Sequence, residues 1–545
     1  MLNNNNDQDM QKRLFIAVAV AGVLLVIYSV VSTYFFAPEQ KSVKQELNTT
    51  EQTTSVNNNS PTKETQGEAN NQKEINSNYK PSGNFNLLLG SKRINSDNLK
   101  DIVKVKTNFG YIEISKVGGR IVSIYVDRFK TDIISDFSKK NRIFPTEIIT
   151  TDPKITELIN FSKYDFKKDG NKLIFTFKNG NIEVQKTYIV NKNSTLEFNL
   201  KTKGLENYGL AIINGVVLNS EANSTFGHSG AIIKTKTELI KIDPDIETEK
   251  IIRGDILWAG EENKYFIQLL ASKNGFTATH IIPIAEEKTL VISEIPTNIE
   301  ASFFFGGPKL YSLLGEINDY YKQKWGVNLD LRDSIDFGFF GFLGKPMFIV
   351  MHWLYNYIHN WGLTIIVLTI LLRILLFPLN HYSIKSMKKM SQLAPEIQKL
   401  QKKYKDDPQK LQEEMMKLYA KYGTNPFSGC LPILLQIPIF IALYNVLLVT
   451  VELKMVPFLW IPDLSEKDPY YILPILMGLS MIAQQWITPA SDKNQKIMMY
   501  IMAAVFTFLF MNFPAGLVLY WLTNNVLGIL QSFIVHKQME KENKG

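Results

Sequence analysis

Two hydrophobic rhythms divide the chain. In the first, apolar and polar residues alternate, as in YIEISKVGGRIVSIYV and KLIFTFKNGNIEVQKTYIV. Period-two patterning broken at Val117-Gly118-Gly119 and Lys178-Asn179-Gly180-Asn181 predicts antiparallel strands. Extended over residues 86–335, it predicts a large β-sandwich. In the second rhythm the apolar residues run together. A bilayer-spanning helix needs roughly 20 such residues. The runs Trp361–Leu379, Phe427–Val449, Tyr470–Ile487, Ile497–Phe513 and Gly516–Val535 meet that need. The last two are separated only by Asn512-Phe513-Pro514-Ala515 and so predict an antiparallel hairpin.

Other patterns fill the gaps. Leu14–Phe36 is a sixth apolar run, with Lys12 and Arg13 before it. Phe35 and Pro38 around Ala37 make a poor signal-peptide cleavage site, so residues 1–36 read as a retained anchor. Residues 37–85 are rich in Asn, Gln, Glu and Thr and predict a disordered tether. In KPMFIVMHWLYNYIHN, His352, Asn356 and His359 share a helical face. That predicts an amphipathic helix over 340–360 lying in the bilayer interface, with the histidines on its wet side. A buried globular helix is the alternative. From Ser383 onward, Ile384, Met387, Met390, Leu393, Ile397, Leu400 and Tyr404 recur at threes and fours. A second series, Leu411, Met415, Leu418 and Tyr422, follows Asp406-Asp407-Pro408. Residues 383–426 therefore predict a helical hairpin, its first arm kinked at Pro395.

Charge sets the orientation. Residues 383–426 carry ten lysines, among them Lys385, Lys388, Lys389, Lys402 and Lys403. By the positive-inside rule this segment is cytosolic, as are the Lys493/Lys496 loop and the basic tail 536–545. Six spans with both termini inside satisfy every loop, placing the β domain and the loop 450–469 outside. The total of 545 residues allows several folded units, and the net charge of +8 is too modest to imply nucleic acid. Cys430 is the one cysteine, so the exported domain holds together without an intramolecular disulfide.

Candidate chemistry is sparse in the β region. It has no Gly-x-Ser-x-Gly elbow, and His228 and His280 stand apart from any metal-ligand spacing. Gly338…Gly344-Lys345-Pro346 lacks the spacing and hydroxyl of a phosphate loop. No catalysis, cofactor or metal is expected. The apolar half holds the better candidate. In WGLTIIVLTILLRILLFPLN, Arg373 lies inside a predicted span, where a guanidinium costs about 2.5–3.5 kcal/mol on insertion scales. Its seven-residue distance from Asn380, about 10 Å of continuous helix, leaves snorkelling open. Thr369 lies one turn away, and Gln436, Gln484, Gln485, Asn512, Thr523, Asn524 and Asn525 place polar groups in or at the ends of the other spans. The spans contain no acidic residue, which argues against a proton relay or ion pump. A cation among amides and hydroxyls predicts a water-filled groove.

The segments NPFSGCLPILLQIPIFIALYNVL, DPYYILPILMGLSMIAQQ and NFPAGLVLYWLTNNVLGILQ closely resemble the YidC insertases of Gram-negative bacteria, in the YidC/Oxa/Alb superfamily. The similarity covers residues 340–537. It implies a membrane α-helical fold: a five-helix conserved core plus an N-terminal transmembrane anchor. A large periplasmic β-supersandwich domain and a cytosolic helical hairpin complete that fold. The second transmembrane helix then occupies 361–382, the third 427–449, and the fourth to sixth lie within 470–535. The resemblance implies an inner-membrane insertase and chaperone for nascent membrane proteins, acting alone or with the SecYEG translocon and SecDF, and also engaging ribosomes and anionic lipids. It implies a hydrated groove containing Arg373, Thr369, Gln436, Tyr520, Trp521 and Asn524. Separately, the number of hairpin lysines near anionic headgroups and ribosomal RNA suits a docking surface, against the plain alternative of a solvated face. Many relatives have Tyr-Tyr where this chain has Tyr520-Trp521, serine is common at the position of Asn524, and the loop Thr488–Gln495 is slightly shorter than usual. Two rivals remain from the residues: a transporter using the same polar groups, and an anchored sugar-active or binding protein working through residues 100–325.

Overall fold

A computed structural model describes residues 101–219, 228–405, 407–423, 431–487 and 493–542. The anchor and tether expected at 1–85 lie outside the described residues, as do the start of the expected β domain, Cys430 and much of the loop Thr488–Gln495.

The alternating half is a β-sandwich. Strands β1 (Ile102–Lys106), β2 (Gly110–Ser115), β3 (Arg120–Val126) and β4 (Thr131–Asp132) form one antiparallel sheet in that order. Helix α1 (Asp136–Lys140), strand β5 (Ile148–Thr150) and helix α2 (Pro153–Phe161) follow. The second sheet then takes in β6 (Asp165–Asp169), β7 (Lys172–Asn179), β8 (Ile182–Val190), β9 (Leu196–Lys203) and β10 (Leu210–Gly215). It continues through β11 (Gly230–Thr235), β12 (Leu239–Ile242), β13 (Lys250–Glu262), β14 (Phe266–Ala285), β15 (Lys288–Ile295) and β16 (Asn298–Pro308). Its main path runs β12-β11-β13-β14-β16-β9-β8-β7-β6, with β5, β10 and β15 branching from β14. Inward residues of both sheets, such as Ile112 and Ile124 from one and Phe175, Tyr188 and Phe304 from the other, share one buried core. The β2–β3 turn needs its glycines. Gly118 and Gly119 have φ of +71° and +57°, and a Cβ on Gly118 would fall 2.3 Å from the Asn160 carbonyl.

This core also buries charge. Arg120 donates to Glu147 across 2.9 Å, both side chains being wholly buried. Lys186 shares the inward parity of Val184 and Tyr188 on β8 and donates to the carbonyls of Gly118 and Thr146, each at 2.7 Å. Burial, reinforced by Arg120, pushes the Lys186 ammonium down to about 7. The two histidines that lack metal-ligand spacing each find carboxylate partners. His228 meets Glu262 at 2.9 Å, and His280 lies between Glu249 and Glu294 at 2.6 and 2.8 Å. Strand pairing brings these residues together from 14 to 34 positions apart, which no local spacing reveals.

From β16 the chain enters helices. Helix α3 (Tyr311–Trp325) stacks Tyr321 on Phe303 with centroids 3.8 Å apart. Next come α4 (Gly341–Ile358), α5 (Trp361–Leu375), α6 (Phe377–Gln392), α7 (Ala394–Lys403) and α8 (Pro408–Lys421). The last four are α9 (Leu431–Val449), α10 (Ile472–Ile487), α11 (Lys493–Phe510) and α12 (Ala515–Glu542). Helix α12 packs on α10, α5 and α6, while α4 packs on both α5 and α9. Among the described residues, Ala515–Val535 is the one unbroken helix long and apolar enough to cross a membrane. Gln436–Val449, Ile472–Ile487 and Met499–Phe510 are shorter apolar helices.

The structure refines several of these expectations. The continuous span over Trp361–Leu379 is two helices bent by 63° between Leu375 and Phe377. Pro378 donates no N–H to the Ile374 carbonyl and its ring crowds that carbonyl, so the first helix stops short of it. The second piece, α6, runs on as one helix to Gln392, across the expected start of the hairpin. Pro395 lies in the first turn of a separate helix, α7, after a one-residue break at Leu393, so the arm is interrupted where the kink was expected. The hairpin itself closes through Leu393, Ile397 and Tyr419, with Asp407 capping α8 through the Lys410 N–H. Finally, His352 of α4 is not on a wet face. It packs among the rings of Tyr311, Phe348 and Trp361, and burial holds its imidazole below the usual range. Asn356 and His359 are exposed as expected, and the exposed side of α4 also carries Phe342, Ile349, Trp353 and Tyr357.

The segment after α9 ties the two halves together. Val451 joins the sandwich core. The Glu452 carboxylate accepts the Tyr311 N–H at 2.7 Å, capping α3 from 141 residues away. Arg128, beside β3, donates to the Glu452 carbonyl at 3.0 Å and to that of Lys454. Burial pushes the Glu452 carboxyl up to about 7, against the lowering effects of its backbone hydrogen bonds and Arg128.

Candidate functional site

The break between α5 and α6 sets the place of Arg373. Asn360 caps the start of α5 by accepting the Leu363 N–H at 3.0 Å, and Arg373 falls in the last turn. A cation there faces the negative end of the helix dipole. The guanidinium is half-buried. Its Nη2 donates to the Asn524 carbonyl at 2.7 Å, and Nη1 lies 3.5 Å from Gln531 Oε1. The buried Nε has no partner among the described residues. Nor does any carboxylate there pair with this cation. Among the described residues, dipoles solvate Arg373 and no carboxylate neutralises it.

A second polar contact lies nearer the start of α12. Gln436 of α9 donates through Nε2 to the Tyr520 hydroxyl, and Tyr520 is almost wholly buried. Trp521 packs its ring edge-on to Phe440 with centroids 4.9 Å apart, and also lies against Phe510 at 5.2 Å. Tyr520, Asn524, Gly528 and Gln531 fall at steps of four, four and three along α12, which is one helix face. The two contacts are therefore successive levels of a single stripe, about 16 Å long at 1.5 Å per residue.

The named residues differ in what they contribute. Arg373, Gln436, Tyr520, Trp521 and Asn524 meet along this stripe. Asn524 acts through its backbone carbonyl rather than its amide. Thr369 does not present a free hydroxyl: it is fully buried and donates to Ile365 of its own helix at 2.7 Å. Asn525 turns to Ser480 of α10 at 3.0 Å, and Thr523 to the Leu519 carbonyl. Gln531 and Gly528 were not evident from residue types alone. Gln531 stands seven residues after Asn524, two turns along the same face, a spacing that could have identified it. The hairpin lysines lie apart from the stripe. Lys389, Lys402 and Lys403 are exposed, while Lys385 and Lys388 are half-buried. Among the described residues no cluster of His, Cys, Asp and Glu is placed to hold a metal ion.

Comparison with known proteins covers both halves. A family profile described as 60Kd inner membrane protein matches residues 353–542, and one described as YidC periplasmic domain matches residues 102–350. The chain is 36% identical over 541 residues to the membrane protein insertase YidC of Aquifex aeolicus, covering 99% of this chain and 98% of that protein. It is 34% identical over 562 residues to the membrane protein insertase YidC of Campylobacter jejuni, again covering 99% and 98%. Among solved structures, an active YidC insertase with its first transmembrane domain resolved aligns with 82% of this chain and 95% of its own. That alignment has 20% identity and a TM-score of 0.39.

Proposed function

This chain belongs to the YidC family of membrane protein insertases, and we propose that it inserts nascent proteins through a hydrated, positively charged groove centred on Arg373. The observation that carries the reading is the state of that guanidinium: half-buried in an apolar helix, held by the Asn524 carbonyl and Gln531, and without a carboxylate partner among the described residues. The groove residues are Arg373, Gln436, Tyr520, Trp521 and Asn524, with Thr369 supporting the α5 wall from within.

The topology is six spans with both termini in the cytosol of a bacterium, the β domain in the periplasm and the chain in the inner membrane. The hairpin of residues 383–426 and its lysines, on α6 and α7, meet the ribosome and anionic headgroups. The insertase acts alone or beside the SecYEG translocon with SecDF, and as a chaperone for the proteins it inserts. Insertion has three parts. A substrate's polar tail enters the groove, where water and the positive field of Arg373 lower its desolvation penalty. Its apolar segment moves out along α9 and α11. Ile501, Val505 and Phe508 give α11 an exposed apolar face at helical spacing, suited to lipid and to a passing helix. The short hydrocarbon path lowers the barrier without nucleotide hydrolysis.

Photocrosslinking tests the path. A photoreactive residue at position 373 or 437 should capture a ribosome-stalled membrane protein as its apolar segment emerges, whereas one at exposed Lys203 of the β domain should not. Capture only at Lys203 would contradict the groove.

A further inference from the structure

On the reading of Arg373 just proposed, we infer that Gly528 and Gln531 are positioning residues that seat its guanidinium against the backbone of α12. Arg373 Nη2 reaches the Asn524 carbonyl at 2.7 Å. In a regular α-helix that carbonyl also receives the N–H four residues on, which belongs to Gly528. Its second lone pair therefore serves the guanidinium, and the approach passes directly over position 528. A Cβ there would stand 2.8 Å from Nη2 and 3.5 Å from Cζ, with Gln484 Nε2 of α10 at 3.4 Å on another side. Any side chain at 528 displaces the guanidinium or the helix.

Backbone geometry gives no other reason for glycine. Gly528 lies inside α12 without a left-handed φ, where glycine is about 1 kcal/mol worse than alanine. The close approach of Arg373 accounts for it.

Gln531 acts on the other nitrogen. Its Nε2 donates to the Phe377 carbonyl at 3.3 Å, at the break between α5 and α6. An amide whose NH2 is committed to a carbonyl must turn its oxygen the other way, and Oε1 faces Arg373 Nη1 at 3.5 Å. Gln531 thus links three things: the bend after α5, the stripe on α12 and the orientation of the cation. Both residues orient the charge without cancelling it.

The test uses the full chain in proteoliposomes with a single-span substrate made in three forms, whose translocated tail is acidic, neutral or basic. Gly528→Ala should lower insertion of the acidic form relative to the neutral one by roughly tenfold, the scale of one charge-assisted hydrogen bond. Gln531→Glu keeps size and shape but supplies a carboxylate beside Nη1. It should reduce the acidic-tail preference in the same direction, even if Gly528→Ala fails to fold. In an Arg373→Lys background Gly528→Ala should add no selective loss, because a narrow ammonium does not need the space. A fall that is equal for all three tails, or is unchanged in the lysine background, would mean simple packing roles and overturn the inference. Arg373→Ala separates the two claims. Full insertion of the acidic form by that variant removes the groove reading and this inference with it. Selective loss there, with unselective Gly528→Ala and Gln531→Glu, removes only the positioning role.

Discussion

The β domain and the helical region each take an arginine out of bulk water, and they treat it differently. Arg120 is wholly buried, faces Glu147 at 2.9 Å, donates Nε to the Val117 carbonyl and sits over the rings of Phe144 and Phe161. Arg373 is half-buried and donates to a carbonyl and toward an amide oxygen. A carboxylate cancels a charge as well as accepting its hydrogen bonds. Carbonyls accept the bonds and leave the charge standing. The periplasmic domain therefore uses its arginine to fix a core, while the helical region retains a positive field.

Removing the counter-charge from the neutralised pair should have the largest effect on stability. Glu147→Gln leaves Arg120 buried without its ion-pair partner and should destabilise the β domain by about 3–5 kcal/mol. Urea-dependent proteolysis of the full chain in detergent measures this. Near-neutral behaviour would dissolve the contrast, because Arg120 would then also be held by dipoles alone.

Glu452 sits where the two regions meet, and its effect should be smaller. Its carboxyl is raised from the usual 4.5 to about 7, mainly by burial. A carboxyl raised on folding contributes stability that is fully present below the unfolded value and is lost as pH rises through the folded one. The attachment of the β domain to α3 and α9 should therefore weaken between about pH 4.5 and 7, by at most about 3 kcal/mol. Glu452→Gln should flatten that part of the profile. Glu261, raised by burial to about 8, stays the same in both proteins, so the difference between them isolates Glu452. A profile unchanged by the substitution would show that Glu452 does not titrate at the junction.

Sequence pattern revealed the two regions unevenly. Strand alternation was legible because it reflects a single local rule, and β7 buries Leu173, Phe175 and Phe177 in strict turn. The same rule, applied to β8, would have put Lys186 on the apolar parity, a local sign of the buried cluster that went unread. It could not show that Glu147 lies opposite Arg120, since that pairing depends on two sheets meeting. In the helical region, composition marked Arg373 as unusual, while Tyr520 and Asn524 entered as groove residues through the family resemblance, and their shared face emerged only once α12 was traced. The bend after α5 was written in Pro378 but masked by the continuous apolar run. Gly528 was hidden for a different reason: a glycine inside a helix signals nothing until the group crowding it is known. Thr369 shows the limit of spacing, because a hydroxyl on the expected face can satisfy its own helix.

Arg373→Ala should have the smallest effect on folding, about 1 kcal/mol or less, because the Asn524 carbonyl keeps its helical hydrogen bond when the guanidinium is gone. Its functional consequence tests the central claim most directly. The measurement is insertion by the reconstituted full chain of paired substrates that differ only in whether the translocated tail is acidic or neutral, comparing wild type, Arg373→Lys and Arg373→Ala. The retained-charge account predicts that Arg373→Ala loses the acidic form while Arg373→Lys keeps more of it, with the neutral form changed least. Equal insertion of the acidic form by all three proteins would contradict it.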